Sequence, residues 1–413
     1  MLQSSIWSPI PGGITAPLGF QASAIHAGLK PSGKFDLSLI LAPENAICAG
    51  TFTQSVVRAE CVNLCVERLC RNDGKARAIL VNSGQANACT GSRGLEDSLL
   101  ASKSLAKKLD ISEEDILICS TGVIGQPIPM QNLLQGLGPL VEGLSYQGSG
   151  NVAKAILTTD LREKEIAIEA HLGGRLIRIG GIAKGSGMIH PNMATMLGFL
   201  TCDAGLPKDV WLEMIKRIAN SSFNSISVDG DTSTNDTFLA FCAGEILDSG
   251  YYKEIEIGLQ LVSTFLAKAI ARDGEGSNCL IEVKVEGANT KENARLIART
   301  ISSSSLVKTA VHGCDPNWGR IIAAAGRSGV IFRPEDVSLW IGSFQLMKNG
   351  LPMDFDRCSV ANHMKEKMLN KGINLEDETL IIKLQIGKGN QEATAWGCDL
   401  SDQYVHINAD YTT

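Results

Sequence analysis

One threonine in the middle of the chain has neighbours that would let it do chemistry. Thr195 stands where a loop of small residues beginning at Lys184 meets an apolar segment, residues 196–200. A threonine inside an intact chain is a weak nucleophile, because nothing fixes a proton acceptor beside its hydroxyl. Cleavage of the Ala194–Thr195 bond would place a free α-amine next to that hydroxyl, and an amine with a pKa of about 7.7 to 8.0 can act as the base. The segment therefore makes Thr195 a candidate N-terminal threonine nucleophile. On a single threonine alone, a core or turn residue without function is the more common interpretation.

A second candidate feature is the turn at residues 120–125, Ser-Thr-Gly-Val-Ile-Gly, which follows a predicted strand at Ile116–Cys119. Backbone amides in a glycine-containing turn at the end of a strand can point at one spot and form an oxyanion hole. On the residues alone, a tight turn without a ligand is the more common interpretation of this pattern.

The elements that must position these features are read from hydrophobic periodicity and length. Apolar runs and alternation predict strands, listed as Phe35–Ala42, Ala78–Val81, Ile116–Cys119, Ile166–Ala170, Arg175–Gly180, Cys279–Val285, Leu339–Phe344, Leu380–Ile386 and Tyr404–Ile407. Helical spacing predicts helices, listed as Leu95–Leu109, Leu133–Leu144, Val152–Leu157, Lys208–Asn220, Glu254–Ala271 and Asn289–Ile301. Residues 82–91, mostly small and amide side chains, are expected to form a turn that can line a site.

Residues 190–197 read His-Pro-Asn-Met-Ala-Thr-Met-Leu. This stretch resembles the self-cleaving junction of the glutamate N-acetyltransferase / ornithine acetyltransferase family, and further motifs follow the order of that family from Gly12 to Thr413. The resemblance implies an α/β (α+β) fold of mixed β-sheets layered with helices, a self-processed precursor of the ornithine acetyltransferase / DmpA-like type. It also implies cleavage into an N-terminal chain, residues 1–194, and a C-terminal chain, residues 195–413, which stay together as an α2β2 assembly.

The same resemblance assigns the site. It makes Thr195 the nucleophile, Ala194 and Thr195 the cleavage site, and the pair Thr121 and Gly122, on the N-terminal chain, the oxyanion hole. The implied substrate-binding residues are Thr158, Lys184, Thr195, Glu275, Asn408 and Thr413. The adjacent Thr159 leaves a one-residue ambiguity. Lys184 is a candidate partner for the substrate carboxylate, or a group that orients the cleavage junction, and Glu275 would hold an ammonium group of ornithine.

Other interpretations of the conspicuous residues are less well supported. His190 would remain on the released chain end after cleavage, so the α-amine is preferred over it as the base. Three aspartates at residues 229–236 lack the later bidentate acidic ligand of a calcium loop, and the cysteines of a predicted helix near Cys65 lack a histidine or a second cysteine pair at ligand spacing. No metal is expected. The glycines around Lys184 do not follow a nucleotide-binding order.

Composition limits the class of protein. The chain has 413 residues, a formal charge of −6 and 44% hydrophobic residues. No dense basic block predicts nucleic-acid or membrane binding, and no apolar run is long enough for a membrane span. The first thirty residues do not have the pattern of a targeting peptide, so a cytoplasmic location is expected. The twelve cysteines are spread over the whole length, which favours reduced buried thiols.

The function implied by the resemblance is acetyl transfer in arginine biosynthesis. Thr195 would take the acetyl group from N-acetyl-L-ornithine and pass it to L-glutamate by a ping-pong mechanism. No bound cofactor is expected, and whether acetyl-CoA serves as a co-substrate for direct acetylation of glutamate stays open. Two alternatives remain: an N-terminal-nucleophile amidase or aminopeptidase, which would pass the acyl group to water, and an amino-acid-binding protein without catalysis.

Overall fold

A computed structural model describes residues 6–190, 196–369, 375 and 377–410, so the Ala194–Thr195 bond and Thr413 lie outside the described residues. The described strands are β1 Ser8–Ile10, β2 Gln21–Ile25, β3 Leu37–Leu41, β4 Ile47–Phe52, β5 Ala78–Gln85, β6 Ile116–Val123, β7 Lys164–Leu172, β8 Arg175–Lys184, β9 Leu197–Cys202, β10 Ile226–Ser227, β11 Thr237–Cys242, β12 Leu280–Ala288, β13 Ser338–Ile341, β14 Phe344–Lys348, β15 Leu351–Pro352, β16 Thr379–Gln385 and β17 Gln391–Cys398. The described α-helices are α1 Glu60–Arg71, α2 Ser92–Leu109, α3 Met130–Glu142, α4 Ser149–Ala155, α5 Lys208–Ser221, α6 Tyr252–Arg272, α7 Lys291–Ser302, α8 Ser305–His312, α9 Trp318–Gly326, α10 Arg357–Leu369 and α11 Asp402–Asp410.

These strands form three sheets that mix parallel and antiparallel pairs. The strand orders are β2-β3-β5-β6, β1-β7-β8-β9-β11-β4 and β10-β17-β12-β16-β13-β14-β15. Helices α1 to α3 pack on one face of the four-stranded sheet, and its other face packs directly on the six-stranded sheet. Helices α5 and α6 cover the remaining face of the six-stranded sheet. The predicted α/β fold of mixed sheets layered with helices is confirmed.

Helix α6 holds this layer in place through a buried apolar stripe. Leu259, Val262 and Leu266 recur at helical spacing and are fully buried in the core that also contains Ile179 of β8. Burying a side chain of this size stabilises the fold by about 1.5–3 kcal/mol. The strand that ends at Lys184 is therefore supported from behind by a rigid helix.

The parallel pair β5 and β6 carries the predicted oxyanion turn. Both strands begin with apolar residues that are buried, as expected for strands covered on both faces. Their pairing continues to Ser83 opposite Thr121 and Gly84 opposite Gly122. The predictions that residues 82–91 and 120–125 are turns are therefore wrong at their first residues, because ladder hydrogen bonds extend both strands to Gln85 and Val123.

Strands β8 and β9 flank the predicted cleavage junction. They pair antiparallel, with Lys184 opposite Leu197, and β9 pairs parallel with β11, with Leu197 opposite Thr237. Since Leu197 is two residues after Thr195 in sequence, this register places Lys184 opposite the first residue of β9, the end of that strand nearest in sequence to Thr195. The predicted hairpin of residues 166–180 is confirmed, with both strands longer than expected.

The predicted strand at Tyr404–Ile407 is wrong, because these residues lie in helix α11. Tyr, Val and Ile favour strands, but this preference is decided by packing against neighbouring strands, and no strand lies beside these residues among those described. Asp402 in the first turn favours a helix start. Helical spacing then puts Tyr404 and Asn408 on one face, where both reach the candidate site.

Two further findings concern the chain as a whole. All twelve cysteines are free thiols, eight of them buried, and Cys61, Cys65 and Cys70 do lie on one helix, α1. In the described part of the chain, no helix combines the length and the apolar character that crossing a membrane requires.

Candidate active site

A cavity of about 160 Å³ brings the predicted site residues together. Its walls come from the ends of β6 and β8, the segment after α4, the turn after α6, the loop before β11, and helix α11. All six predicted residues that the structure describes line it: Thr121, Gly122, Thr158, Lys184, Glu275 and Asn408. Ala194, Thr195 and Thr413 belong to the part of the chain that is not described, so their assignment stays a prediction.

The oxyanion pair occupies the end of β6. Lys184 Nζ donates a hydrogen bond of 3.2 Å to Thr121 Oγ1, so the threonine oxygen is the acceptor and its own hydrogen is left to point elsewhere. Gly122 has a φ of 133°, and a Cβ built there would lie 2.3 Å from the carbonyl carbon of Gly84. A side chain at position 122 would therefore force the two strands apart, which explains why glycine is required there.

Lys184 is buried and joins two threonines. Its Nζ donates to Thr158 Oγ1 at 2.8 Å as well as to Thr121. Burial lowers the pKa of Lys184, and the neighbouring carboxylate of Asp160 opposes this by raising it. Thr159 lines the same cavity, so both candidates for the substrate-contacting threonine are present, and Thr158 is the one that contacts the ammonium.

Glu275 and Asn408 form the opposite wall. Asn408 Nδ2 donates to Glu275 Oε2 at 2.8 Å, and the backbone N–H of Glu275 donates to the carbonyl of Ser186 at 3.0 Å. A Cβ on Gly187 would lie 2.6 Å from the carboxyl carbon of Glu275. The loop glycine therefore leaves the space that this carboxylate occupies. The neighbouring Tyr404 contributes a neutral phenol, because burial, and then the charges of Asp229 and Glu275, raise its pKa.

The loop before β11 anchors both described ends of the junction segment. Asp229 accepts hydrogen bonds from the backbone N–H groups of Met188 at 2.5 Å and Ile189 at 2.9 Å, and Met188 has a left-handed backbone with φ of 57°. Asp236 accepts one from the N–H of Met196 at 3.1 Å. Two of the three aspartates considered above as cation ligands, Asp229 and Asp236, are thus engaged with backbone amides. The described residues contain no group of three or more side chains able to hold a metal ion.

Several residues of the site were not anticipated from the sequence. They are Asp160, Lys164, Asp229, Asn235 and Tyr404. Asn235 donates from its side chain to the carbonyls of Ala86 and Ser120, which fastens the loop before β11 to the ends of β5 and β6. For two of these residues, their position in the sequence was a usable indication. Tyr404 precedes the predicted site residue Asn408 by one helical turn, and Asp160 directly follows the Thr158-Thr159 pair.

His190 lies beside the site without lining the cavity. Its Nδ1 is 3.2 Å from Ser227 Oγ, and burial, together with the positive charge of Arg299, lowers its pKa. The hypothesis that the α-amine rather than His190 is the base stays a prediction, since the amine belongs to Thr195.

The chain is similar to known proteins over nearly its whole length. A family model described as the ArgJ family matches residues 21–413. The arginine biosynthesis bifunctional protein ArgJ of a Prochlorococcus marinus strain is 67% identical over 411 residues, covering 100% of this chain and 99% of that protein. The ArgJ protein of Synechocystis sp. (strain ATCC 27184 / PCC 6803 / Kazusa) is 53% identical, covering 98% and 99%.

Two solved structures are also similar. The crystal structure of ArgJ from Bacillus halodurans is 39% identical with a TM-score of 0.48, covering 52% of this chain and 100% of that chain. Ornithine acetyltransferase complexed with ornithine from Mycobacterium tuberculosis is 35% identical with a TM-score of 0.42, covering 45% and 98%.

Proposed function

This chain belongs to the ArgJ family and is an acetyltransferase of arginine biosynthesis, and from that premise we propose how its site works. The enzyme transfers the acetyl group of N-acetyl-L-ornithine to L-glutamate through an acetyl-enzyme on Thr195. The observation that supports this proposal is the convergence of six predicted residues, from well-separated regions of the chain, on one small cavity.

The charges of the cavity fit an amino-acid substrate. Among its lining residues in the described chain, Lys184 is the single cation, and three carboxylates, those of Asp229, Asp231 and Glu275, line the same cavity. Ornithine carries both ammonium and carboxylate groups, so it requires both signs of charge in its binding site. The carboxylate wall suits the ammonium groups, and the Lys184 side suits the substrate carboxylate or the acetyl oxygen.

The first half-reaction forms the acetyl-enzyme. Thr195 Oγ attacks the acetyl carbonyl of N-acetylornithine while the α-amine of Thr195 takes up the hydroxyl proton. Thr121 and Gly122 donate hydrogen bonds to the tetrahedral oxyanion. When the intermediate collapses, the carbon–nitrogen bond breaks, and the protonated α-amine returns its proton to the departing amine of ornithine.

The second half-reaction reverses these steps with a new acceptor. The α-amine of glutamate attacks the acetyl-threonine ester, and the Thr195 hydroxyl is released as N-acetylglutamate forms. The curated relatives are named bifunctional. We propose that the second activity here is acetylation of glutamate from acetyl-CoA, which would load the same threonine, and that no cofactor stays bound.

The proposal includes processing and assembly. The precursor cleaves itself between Ala194 and Thr195, and the chains of residues 1–194 and 195–413 remain together as an α2β2 assembly in the cytoplasm. The fold supports the pairing of the two chains, because β9 of the C-terminal chain lies in one sheet with β8 of the N-terminal chain. Separation of the chains would expose that sheet interior.

An acetyl-transfer assay with isotopically labelled N-acetylornithine tests the function. Labelled N-acetylglutamate is expected when glutamate is present, and labelled acetyl-CoA should replace the donor. Release of labelled acetate with no dependence on glutamate would instead establish an amidase. Absence of any turnover, with binding of ornithine retained, would leave an amino-acid-binding protein.

A further inference from the structure

A buried ionic group lies directly behind the cavity wall that carries Thr158 and Lys184. It consists of Asp160, Lys164 and Asp273, whose side chains are 0%, 1% and 6% exposed. Burying charges is costly unless they are paired and hydrogen-bonded. The contacts of this group extend to residues of the candidate site, so its function concerns more than the stability of the fold.

Asp160 is the centre of these contacts. Its Oδ1 accepts hydrogen bonds from Lys164 Nζ at 2.8 Å and from the backbone N–H of Gly185 at 2.6 Å, and its Oδ2 accepts one from the N–H of Thr158 at 3.1 Å. The ammonium of Lys184 lies 3.9 Å from Oδ2. One carboxylate therefore fixes the backbone at Thr158 and at Gly185, the residue that follows Lys184, and so holds both chain segments that meet at the Lys184–Thr158 hydrogen bond.

Lys164 connects this carboxylate to the other wall of the cavity. Its Nζ donates to Asp273 Oδ2 at 2.6 Å. The backbone carbonyl of Asp273 accepts from Ser186 Oγ at 2.8 Å, and the carbonyl of Ser186 accepts from the N–H of Glu275. The loop that carries Lys184 and the turn that carries Glu275 are thus held at a fixed separation.

The buried ionic group and Lys184 together carry no net charge only when Lys184 is protonated. Asp160, Lys164 and Asp273 sum to one negative charge, and the Lys184 ammonium neutralises it. Burial alone would raise the pKa of Asp160, but Lys164, Lys184 and the N–H of Gly185 outweigh this and hold it well below its ordinary value. Asp160 is therefore a carboxylate at any pH at which the enzyme would work.

We propose that Asp160 is a positioning residue for acetyl transfer, because it keeps Lys184 as an ammonium. The Lys184 ammonium donates a hydrogen bond to Thr121 Oγ1. This hydrogen bond orients and polarises the Thr121 hydroxyl as a donor to the oxyanion. An oxygen that accepts a hydrogen bond from a cation becomes a stronger donor through its own hydrogen. This inference rests on the proposed function, which makes Thr121 part of the oxyanion hole.

The proposal gives Lys184 a pH-dependent role that several charges control. The ionisable groups around it are the carboxylates of Asp160, Glu275 and Asp236 and the ammonium groups of Lys164 and Lys30. Removing the negative charge of Asp160 takes away the carboxylate that raises the pKa of Lys184. Burial and the positive charge of Lys164 then lower the pKa of Lys184 further. Because the protonated form is the active one, activity is present below this pKa and is lost as the pH rises through it.

The pH dependence of acetyl-enzyme formation in Asp160→Asn tests this. In the neutral to alkaline range, the rate of the variant relative to that of wild type at the same pH should fall about tenfold per pH unit above the lowered pKa. Taking this ratio cancels the titration of the Thr195 α-amine, which both proteins share. Recovery towards the wild-type rate at lower pH is the expected signature. A loss by the same factor at every pH, or no loss, would overturn the proposal.

Two controls separate the causes of failure. Asp203→Asn also removes a buried carboxylate that accepts hydrogen bonds from backbone N–H groups, those of Leu18 and Arg178, but this carboxylate lies at the far end of β9. This variant should keep the wild-type pH profile.

Lys184→Arg in the otherwise wild-type chain should move the alkaline loss of rate to higher pH. This test does not depend on the folding of Asp160→Asn. An unchanged alkaline limb in Lys184→Arg would also contradict the proposal. Wild type that forms no acetyl-enzyme at any pH would refute the proposed function itself.

Discussion

The side-chain amide of Asn408 donates a hydrogen bond of 2.8 Å to the carboxylate of Glu275, across 133 positions of sequence. Helix α11 thereby closes one wall of the cavity, and the amide holds the carboxylate in the orientation in which it would receive an ammonium group. A hydrogen bond to a charged group contributes about 1.5–3 kcal/mol. The contact links the last described helix of the chain to the proposed substrate-binding residue Glu275.

Replacing Asn408 by alanine should therefore weaken substrate binding. We expect KM for N-acetylornithine to rise roughly tenfold or more, as the loss of about 1.5 kcal/mol predicts, with a smaller change in kcat. Steady-state kinetics of acetyl transfer provide the measurement. His406→Ala, an exposed position on the same helix, is the matched control, and an equal effect in both variants would argue that the helix rather than the Asn408 contact is responsible.

Two substitutions of Thr121 can distinguish the chemical role of its hydroxyl group from its role in packing. Thr121→Val keeps the branched shape that suits a strand but removes the donor, so kcat should fall about 10²–10³-fold, the usual effect of losing one oxyanion donor. Thr121→Ser keeps the hydroxyl and should retain most of the activity. If valine and serine have similar rates, Thr121 does not stabilise the oxyanion.

Lys184→Ala distinguishes the two sequence-based roles of this lysine. A partner for the substrate carboxylate predicts a higher KM for N-acetylornithine, and a residue that orients the junction predicts slower chain cleavage. Because Lys184 also donates a hydrogen bond to Thr121, Lys184→Ala should in addition lower kcat. Kinetics should be normalised to the cleaved fraction, measured by denaturing electrophoresis. Normal values of KM, kcat and cleavage together would exclude Lys184 from the site.

The two chain ends should differ in their tolerance of extensions. The family resemblance implies that Thr413 enters the pocket, and α11, which precedes it, carries Tyr404 and Asn408 to the cavity. A C-terminal extension should lower activity more than an N-terminal one of equal length. Specific activities of the two tagged proteins, each corrected for cleavage, make the comparison; equal values would count against Thr413 as a pocket residue.

Much of the fold was predictable, because long periodic segments such as α6 and the β7–β8 hairpin combine pattern and length. Boundaries were less predictable where a strand ends in small or polar residues. The pairing of Gly84 with Gly122 continues the ladder through residues that, taken locally, favour turns. Helix α11 was missed because its residues favour strands and no local feature reveals that a strand partner is lacking.

The site was predictable to the extent that resemblance supplied it residue by residue. Thr121, Thr158 and Lys184 do meet in space, as predicted for members of one site. Asp160 and Lys164 could not be found in this way, since the roles of both depend on burial, and that of Lys164 also on its contact with Asp273, more than a hundred positions away. A charged residue in a sequence is most often exposed, so its burial must be observed.

The central claim, an acetyl-enzyme on a threonine freed by self-cleavage, is tested most directly by intact mass. Wild-type protein and Thr195→Ala should be compared before and after brief exposure to N-acetylornithine. The proposed function predicts two wild-type chains that divide between Ala194 and Thr195, an acetyl adduct on the C-terminal chain, and neither feature in the variant. A single uncut wild-type chain without an adduct would contradict it.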